Sequence, residues 1–238
     1  MTGHAPFTWL SYLPIVGKFP HQVAAALFVS VGLTAVSYLY LRKVAAGPKA
    51  DRLVPSERFT LRNFLELITE MVLKFLEDII GPRGREFLPL IGTLGFFILF
   101  SNLLGLVPGF LPPTDNLNTT VACALVVFFA THYYGIKAHG LKYIKHFMGP
   151  VWWLAPLFFV IELVSHLARV LSLSMRLFGN IMADHMLLSI TLLAPSVLIL
   201  VLPPLSMFLG VFVSLIQTFI FILLSMVYIS LAIEEAEH

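Results

Sequence analysis

The sequence predicts an all-α integral membrane protein, and three observations carry that prediction. The 238 residues are 58% hydrophobic and 12% charged, with a mean hydropathy of +0.91, which is far from the composition of a soluble enzyme. Apolar runs of about 20 residues recur, each long enough to cross a ~30 Å hydrocarbon core. The basic residues are clustered: nine of the 15 Lys and Arg fall in 42–86 and three in 137–150, leaving Lys18, Arg169 and Arg176. These features suit a single membrane domain over 1–238, with five transmembrane helices, one amphipathic interfacial helix and a long, steeply tilted C-terminal helical hairpin. Cys123 is the only cysteine, so there is no disulfide framework and no cysteine-based metal site. Neither a nucleic-acid signature nor an internal repeat is present.

Residues 1–20 are irregular and lack a basic start with a cleavage site, so no removable signal peptide is expected. The first span covers 21–41 and ends in Tyr38, Tyr40, Arg42 and Lys43, an aromatic and basic boundary. Ser56 is a plausible N-cap for a helix over 57–80. That helix cannot span, because charged residues from Glu57 to Asp78 occur along its whole length. Phe64, Leu65, Ile68, Val72, Phe75 and Ile79 give it one apolar face, which lies on the membrane surface, on a partner or on the rest of this chain. The second span covers 87–108 and the third 119–136. Residues 156–194 and 203–233 form the hairpin, with Pro195 closing one arm and Pro203 or Pro204 opening the other. At 1.5 Å per residue the first arm is roughly 58 Å long, far more than the bilayer core, so steep tilt or kinking is expected. The positive-inside rule puts the two basic loops in the cytoplasm, the N-terminus outside and the C-terminus inside.

The first arm is apolar enough for lipid, yet it holds Glu162, His166, Arg169, Arg176, Asp184 and His185. A central Arg costs ~2.5–3.5 kcal/mol on insertion scales, so ionisable groups here are functional candidates by default. Glu162, Arg169 and Arg176 are seven apart, and His166 and Asn180 follow at steps of three or four, so they share one helix face. Leu157, Val160, Val164, Leu171, Met175 and Met182 make the opposite face apolar. A guanidinium does not deprotonate in proteins, so Arg176 cannot pass a proton on. It can hold a fixed charge in a low dielectric, lower the pKa of an approaching carboxylate and oppose a continuous proton wire. Glu162, Ser165 and His166 lie on the cytoplasmic side of Arg176, with Asn180, Asp184 and His185 on the outer side. The return arm brings Gly210, Ser214, Gln217 and Phe221 at helical spacing, a small and polar patch. Two polar groups offset across a fixed cation are what two half-channels need. Arg169 is either a second fixed charge or a seam neighbour of Glu162. Glu162 and His166 lack the second Glu-His set that a metal in a helical bundle would require, so no metal and no cofactor is expected.

SLSMRLFGN at 172–180 resembles the most recognisable motif of the a subunit of F-type ATP synthases. IQTFIFILLSMVYISLAIEE at 216–235 is similar to that family's last helix, and SNLLGLVP at 101–108 to its earlier Asn-Leu…Pro segment. The resemblance runs in order from about residue 60 to the end. It implies a stator subunit that works against a ring of c subunits, with the b-subunit peripheral stalk and the rest of the complex as further partners. It also implies that Arg176 is the essential arginine, with Asn180, Glu162 and Gln217 matching the family's neighbouring polar positions. Asn102, Ser214, Asp184 and His185 then join Asn180 and Gln217 in the outer half-channel. Glu162, Ser165, His166 and Arg169 form the cytoplasmic one. The chain departs from some relatives by carrying His185 where they have Glu, Gly210 where they have His and Gly105 where they have Asp.

Three function classes can be weighed. A rotary stator subunit needs an obligate complex and no nucleotide site here, and the GxxxxGK-Ser/Thr phosphate loop is absent. A self-contained proton-coupled transporter would need its own midplane carboxylate and usually repeat symmetry. An intramembrane hydrolase using Ser165 or Ser172 lacks a nucleophile elbow, and Ser165 and His166 point about 100° apart on a helix. The rotary reading is the expectation, in a bacterial inner membrane.

Overall fold

The computed structural model describes residues 9, 19–46, 61–107, 109–140, 143, 152–192 and 201–234. Among them there is no strand. The main helices are α1 (His21–Ala46), α2 (Leu61–Ile80), α3 (Leu88–Leu104), α4 (Leu117–His139), α5 (Ala155–Leu192) and α6 (Leu202–Glu234). A 3₁₀ turn at Pro82–Phe87 leads into α3 and extends that crossing to Pro82–Leu104. Among the described residues five helices are long and apolar enough to cross a membrane, and α2 is not one of them.

The first crossing runs His21–Arg42, beside the expected 21–41. The second runs Pro82–Leu104, beside the expected 87–108: the 3₁₀ turn brings its start forward, and Gly105 ends α3, its amide bonding back to the Asn102 and Leu103 carbonyls. The third span is longer than 119–136. Asn116 accepts from the Asn118 amide at its start, and Gly140 (φ 57°) ends it in the left-handed region. The proposed Ser56 cap and most of the turn between the hairpin arms lie outside the described residues.

The core has two parts. Leu94 and Ile98 of α3, Ala124 and Val127 of α4, Leu173 and Leu177 of α5 and Phe221 of α6 pack into one cluster. Phe221 is fully buried at its centre. The second cluster settles where the amphipathic helix lies. Val72 and Leu76 of α2 meet Phe87, Ile91, Ile222, Met226 and Ile229, so α2 packs its apolar face on this chain's own α3 and α6. Ser230 Oγ of α6 donates to the Ile79 carbonyl at 3.0 Å, satisfying one of the carbonyls left open at the end of α2. His139 at the end of α4 is bonded to the Ile233 carbonyl of α6. Helix α1 stands to one side. Among its described residues only Ala24, Ala25 and Val29 are buried. Beside it, the Trp9 amide donates to the Gly109 carbonyl at 3.1 Å, next to the α3–α4 connection.

Candidate functional site

Helix α5 presents its polar seam along the border between its buried and exposed faces. Leu173, Leu177 and Ile181 point into the core, while Leu157, Val160, Val164, Leu171, Met175 and Met182 are all exposed. Arg176 itself is exposed, and no hydrogen bond or ion pair engages it among the described residues. Ala168, Ser172, Gly179 and Ala183 are exposed above and below it at steps of four, four, three and four residues through Arg176. The sequence reading missed this stripe, although the spacing of small residues around the arginine was there to be read. It lets another helix approach the guanidinium closely.

Behind Arg176 the two hairpin arms are joined by one polar bond. Asn180 Nδ2 donates to Gln217 Oε1 at 2.5 Å, and Gln217 is buried. Ser214 lies close by on α6, and its buried Oγ has no hydrogen-bond partner. Gly210, a turn further on, sits against Leu106: a Cβ there would lie 2.6 Å from Leu106 Cδ2.

Beyond this bond the arms and the end of α3 enclose a cleft. Asn102, Asp184, His185, Ser206 and Gly210 line it, with Leu106 between them. The α3–α4 connection closes over this end. Thr114 Oγ1 donates to Asn102 Oδ1 at 2.9 Å, leaving the buried Asn102 Nδ2 without a partner. Next to it, Asp115 lies 3.5 Å from His21 Nε2 at the start of α1. Burial pushes the Asp115 carboxyl up from its ordinary value, while the nearby His21 and His185 pull it back down. Asp115 and His21 were not singled out from the sequence. Their only signal was an acid in a connection lacking Lys and Arg.

A second polar group lies toward the other end of α5. His166 Nε2 is 3.2 Å from Glu162 Oε1, one turn away. His166 is buried, and its ring centroid is 4.7 Å from that of His132 on α4. Arg169 does not bind Glu162. Its guanidinium lies over the Tyr228 ring of α6, 5.4 Å from the centroid. Thr131, His166, Arg169 and Tyr228 line a cleft here, with Phe128 on its wall. Ser165 is half-buried and does not line that cleft. The fold thus brings together Glu162, His166 and Arg169 at one end and Asn102, Asp184 and His185 at the other. Asn180, Gln217 and Ser214 lie between the ends.

A polytopic helical membrane protein with a fixed cation on an exposed seam, flanked by two polar clefts, is the class that this geometry defines. The sequence matches the model of the ATP synthase A chain family over residues 23–230. It is 47% identical to ATP synthase subunit a of Geobacter sulfurreducens over 226 residues, covering 92% of this chain and 96% of that protein. It is 46% identical to ATP synthase subunit a of Desulfosudis oleivorans over 232 residues, 92% of this chain and 99% of that protein. ATP synthase subunit a of Trichlorobacter lovleyi is 51% identical over 188 residues, 79% of each chain. The chain belongs to the ATP synthase A chain family.

Proposed function

We propose that this chain is the proton-translocating a subunit of a rotary ATP synthase in a bacterial inner membrane. The observation that carries the reading is the setting of Arg176: a permanent cation, exposed in a stripe of small residues, between two polar clefts at opposite ends of one helix. Glu162 is about 21 Å and His185 about 14 Å from it along the axis, at 1.5 Å per residue. Neither cleft includes Arg176 in its lining, which supports two separate half-channels rather than one pore.

In this reading protons enter the outer cleft, lined by Asn102, Asp184 and His185, and load a carboxylate on a c-subunit ring seated on the stripe. The loaded, neutral carboxylate travels around in lipid and returns at the cytoplasmic cleft, with Glu162, His166, Arg169 and Ser165. It loses its proton there because Arg176 favours the ionised form. The bare carboxylate then passes Arg176 to the outer side, beside Asn180, Gln217 and Ser214, and is reloaded. One charge moved through 100 mV yields ~2.3 kcal/mol, so several protons must be gathered per ATP, which a ring and a fixed gate achieve. Nucleotide chemistry falls to other subunits, and the b-subunit stalk holds this chain against the ring's torque.

The test uses inverted membrane vesicles containing the whole complex with Arg176→Ala, alongside Arg176→Lys. ATP-driven acidification should vanish in the alanine variant while the subunit still assembles, and passive proton leak should rise. Lysine keeps a charge but loses the planar guanidinium fork, so it should pump poorly. Pumping near the wild-type rate in Arg176→Ala would sink the reading.

A further inference from the structure

The hairpin arms do not use every polar group that touches them. His132 is on α4, a helix to which neither spacing nor resemblance gave any part in the passage. Its Nδ1 is 2.9 Å from the Tyr143 hydroxyl, which is buried just past the end of α4. Its ring is 4.7 Å from that of His166, and His166 Nε2 is 3.2 Å from Glu162 Oε1. Phe128 packs edge-on against both imidazoles, with centroids 4.3 Å and 6.3 Å away. Four groups that each accept and release protons therefore stand in one row across the α4–α5 boundary. The row starts at Tyr143, 5% exposed, and ends at Glu162, whose side chain is 32% exposed on the edge of α5 that also carries Arg176.

We infer that Tyr143, His132, His166 and Glu162 form a proton relay that carries the cytoplasmic half-channel sideways from α5 into α4. The inference rests on the reading of this chain as a rotary proton path and adds residues to it. A neutral imidazole donates at one nitrogen and accepts at the other. When the Tyr143 hydroxyl donates to His132 Nδ1, the proton of that ring sits on Nε2. When His166 Nε2 donates to Glu162, its Nδ1 is the acceptor. The row is then polarised toward Glu162, and reversing every bond polarises it toward Tyr143. These two states serve the two directions of flow. Each hop breaks one O–H or N–H bond and forms one on the next group, so the row gains a proton at one end as it releases one at the other. Arg169 is fixed over Tyr228 beside His166. A structural alternative has His132 only bracing Tyr143 against α4, and it makes a different prediction.

The experiment measures passive proton conduction in vesicles holding the complete membrane sector, freed of the soluble ATPase part and driven by a potassium diffusion potential. His132→Asn can still offer an oxygen to the Tyr143 hydroxyl but cannot take a proton at one atom and release it at another. Its conduction should fall about a hundredfold, the low end of what a positioned proton-transfer group supplies. His132→Ala should be slow as well, and millimolar imidazole should restore it severalfold. Wild-type conduction in His132→Asn, or a slow His132→Ala that imidazole leaves slow, would overturn the relay. Arg176→Ala is scored in the same vesicles for ATP-driven pumping before the ATPase part is removed. If it pumps normally, the rotary reading itself has failed, whatever His132 does. If it does not pump and His132→Asn conducts normally, only the relay has failed.

Discussion

In the proposed reading, Arg176 and Asp115 would solve opposite problems with one charge each. The guanidinium keeps its proton in any surroundings, so its value lies in being fixed. The Asp115 carboxyl is raised above its ordinary 3.8 by burial, opposed by His21 and His185, so its value lies in being exchangeable. A carboxyl raised by the fold favours the folded state only where it is protonated, below the ordinary carboxylate range. That contribution is lost as pH climbs through the raised value. At neutral pH the ionised Asp115 is therefore a net cost to the fold. Asp115→Asn should leave the thermal midpoint of the assembled complex equal or higher at neutral pH, with the advantage shrinking as pH falls toward 4. It should also slow ATP-driven pumping, because His185 and His21 lose their acid. A midpoint that drops at neutral pH would mean that the His21 contact outweighs burial. Arg176, Asn180 and Gln217 were legible in the sequence because they stand at helical steps or within recognisable motifs. Asp115 was not, because it reaches His185 from a connection 70 positions earlier, and no periodicity encodes that approach.

At the scale of elements, the two arms of the hairpin are the longest helices among the described residues. The reading of 156–194 and 203–233 differs from Ala155–Leu192 and Leu202–Glu234 by one or two residues. Long apolar runs bounded by prolines leave little choice. How the arms meet α3 was less legible, because it depends on Gly210 and on what faces it. Leu106 fills the space that a side chain at 210 would take, and a Cβ there would lie 2.6 Å from its Cδ2. Overpacking of this kind costs about 1–3 kcal/mol. Gly210→His alone should therefore lower the thermal midpoint of the detergent-solubilised complex and the amount of this subunit retained in it. Adding Leu106→Ala should recover most of both, because Leu106 is a side chain and not backbone. The double variant also puts a titratable group beside Asp184 and His185, so its pumping should remain substantial. If the double variant is as poorly retained as the single one, the contact with Leu106 is not what excludes a side chain at 210. The burial of α2 on α3 and α6 was one of the alternatives the sequence left open, since an amphipathic face looks the same whether it covers lipid or protein.

At the scale of the whole molecule, five crossings would put the two ends of the chain on opposite sides of the membrane, and the proposed orientation rests on charge. Twelve of the 15 basic residues fall in the stretches 42–86 and 137–150, and the α3–α4 connection has none. The assignment of outer and cytoplasmic clefts depends wholly on this asymmetry. The geometry of the clefts is the same either way up, so inverting the chain would exchange their roles. Two exposed positions report on the two sides: Asn118 beside the α3–α4 connection and Lys74 on α2. In a background with the buried Cys123 replaced by serine, Asn118→Cys should react with a membrane-impermeant thiol reagent in cells with a permeabilised outer membrane and intact inner membrane. Lys74→Cys should react only in inverted vesicles. If the pattern is reversed, Glu162, His166 and His132 face the outside, and Asp184, His185 and Asp115 become the cytoplasmic set. Arg176 would keep its role in that event, because a fixed cation between two clefts acts on a passing carboxylate from either side.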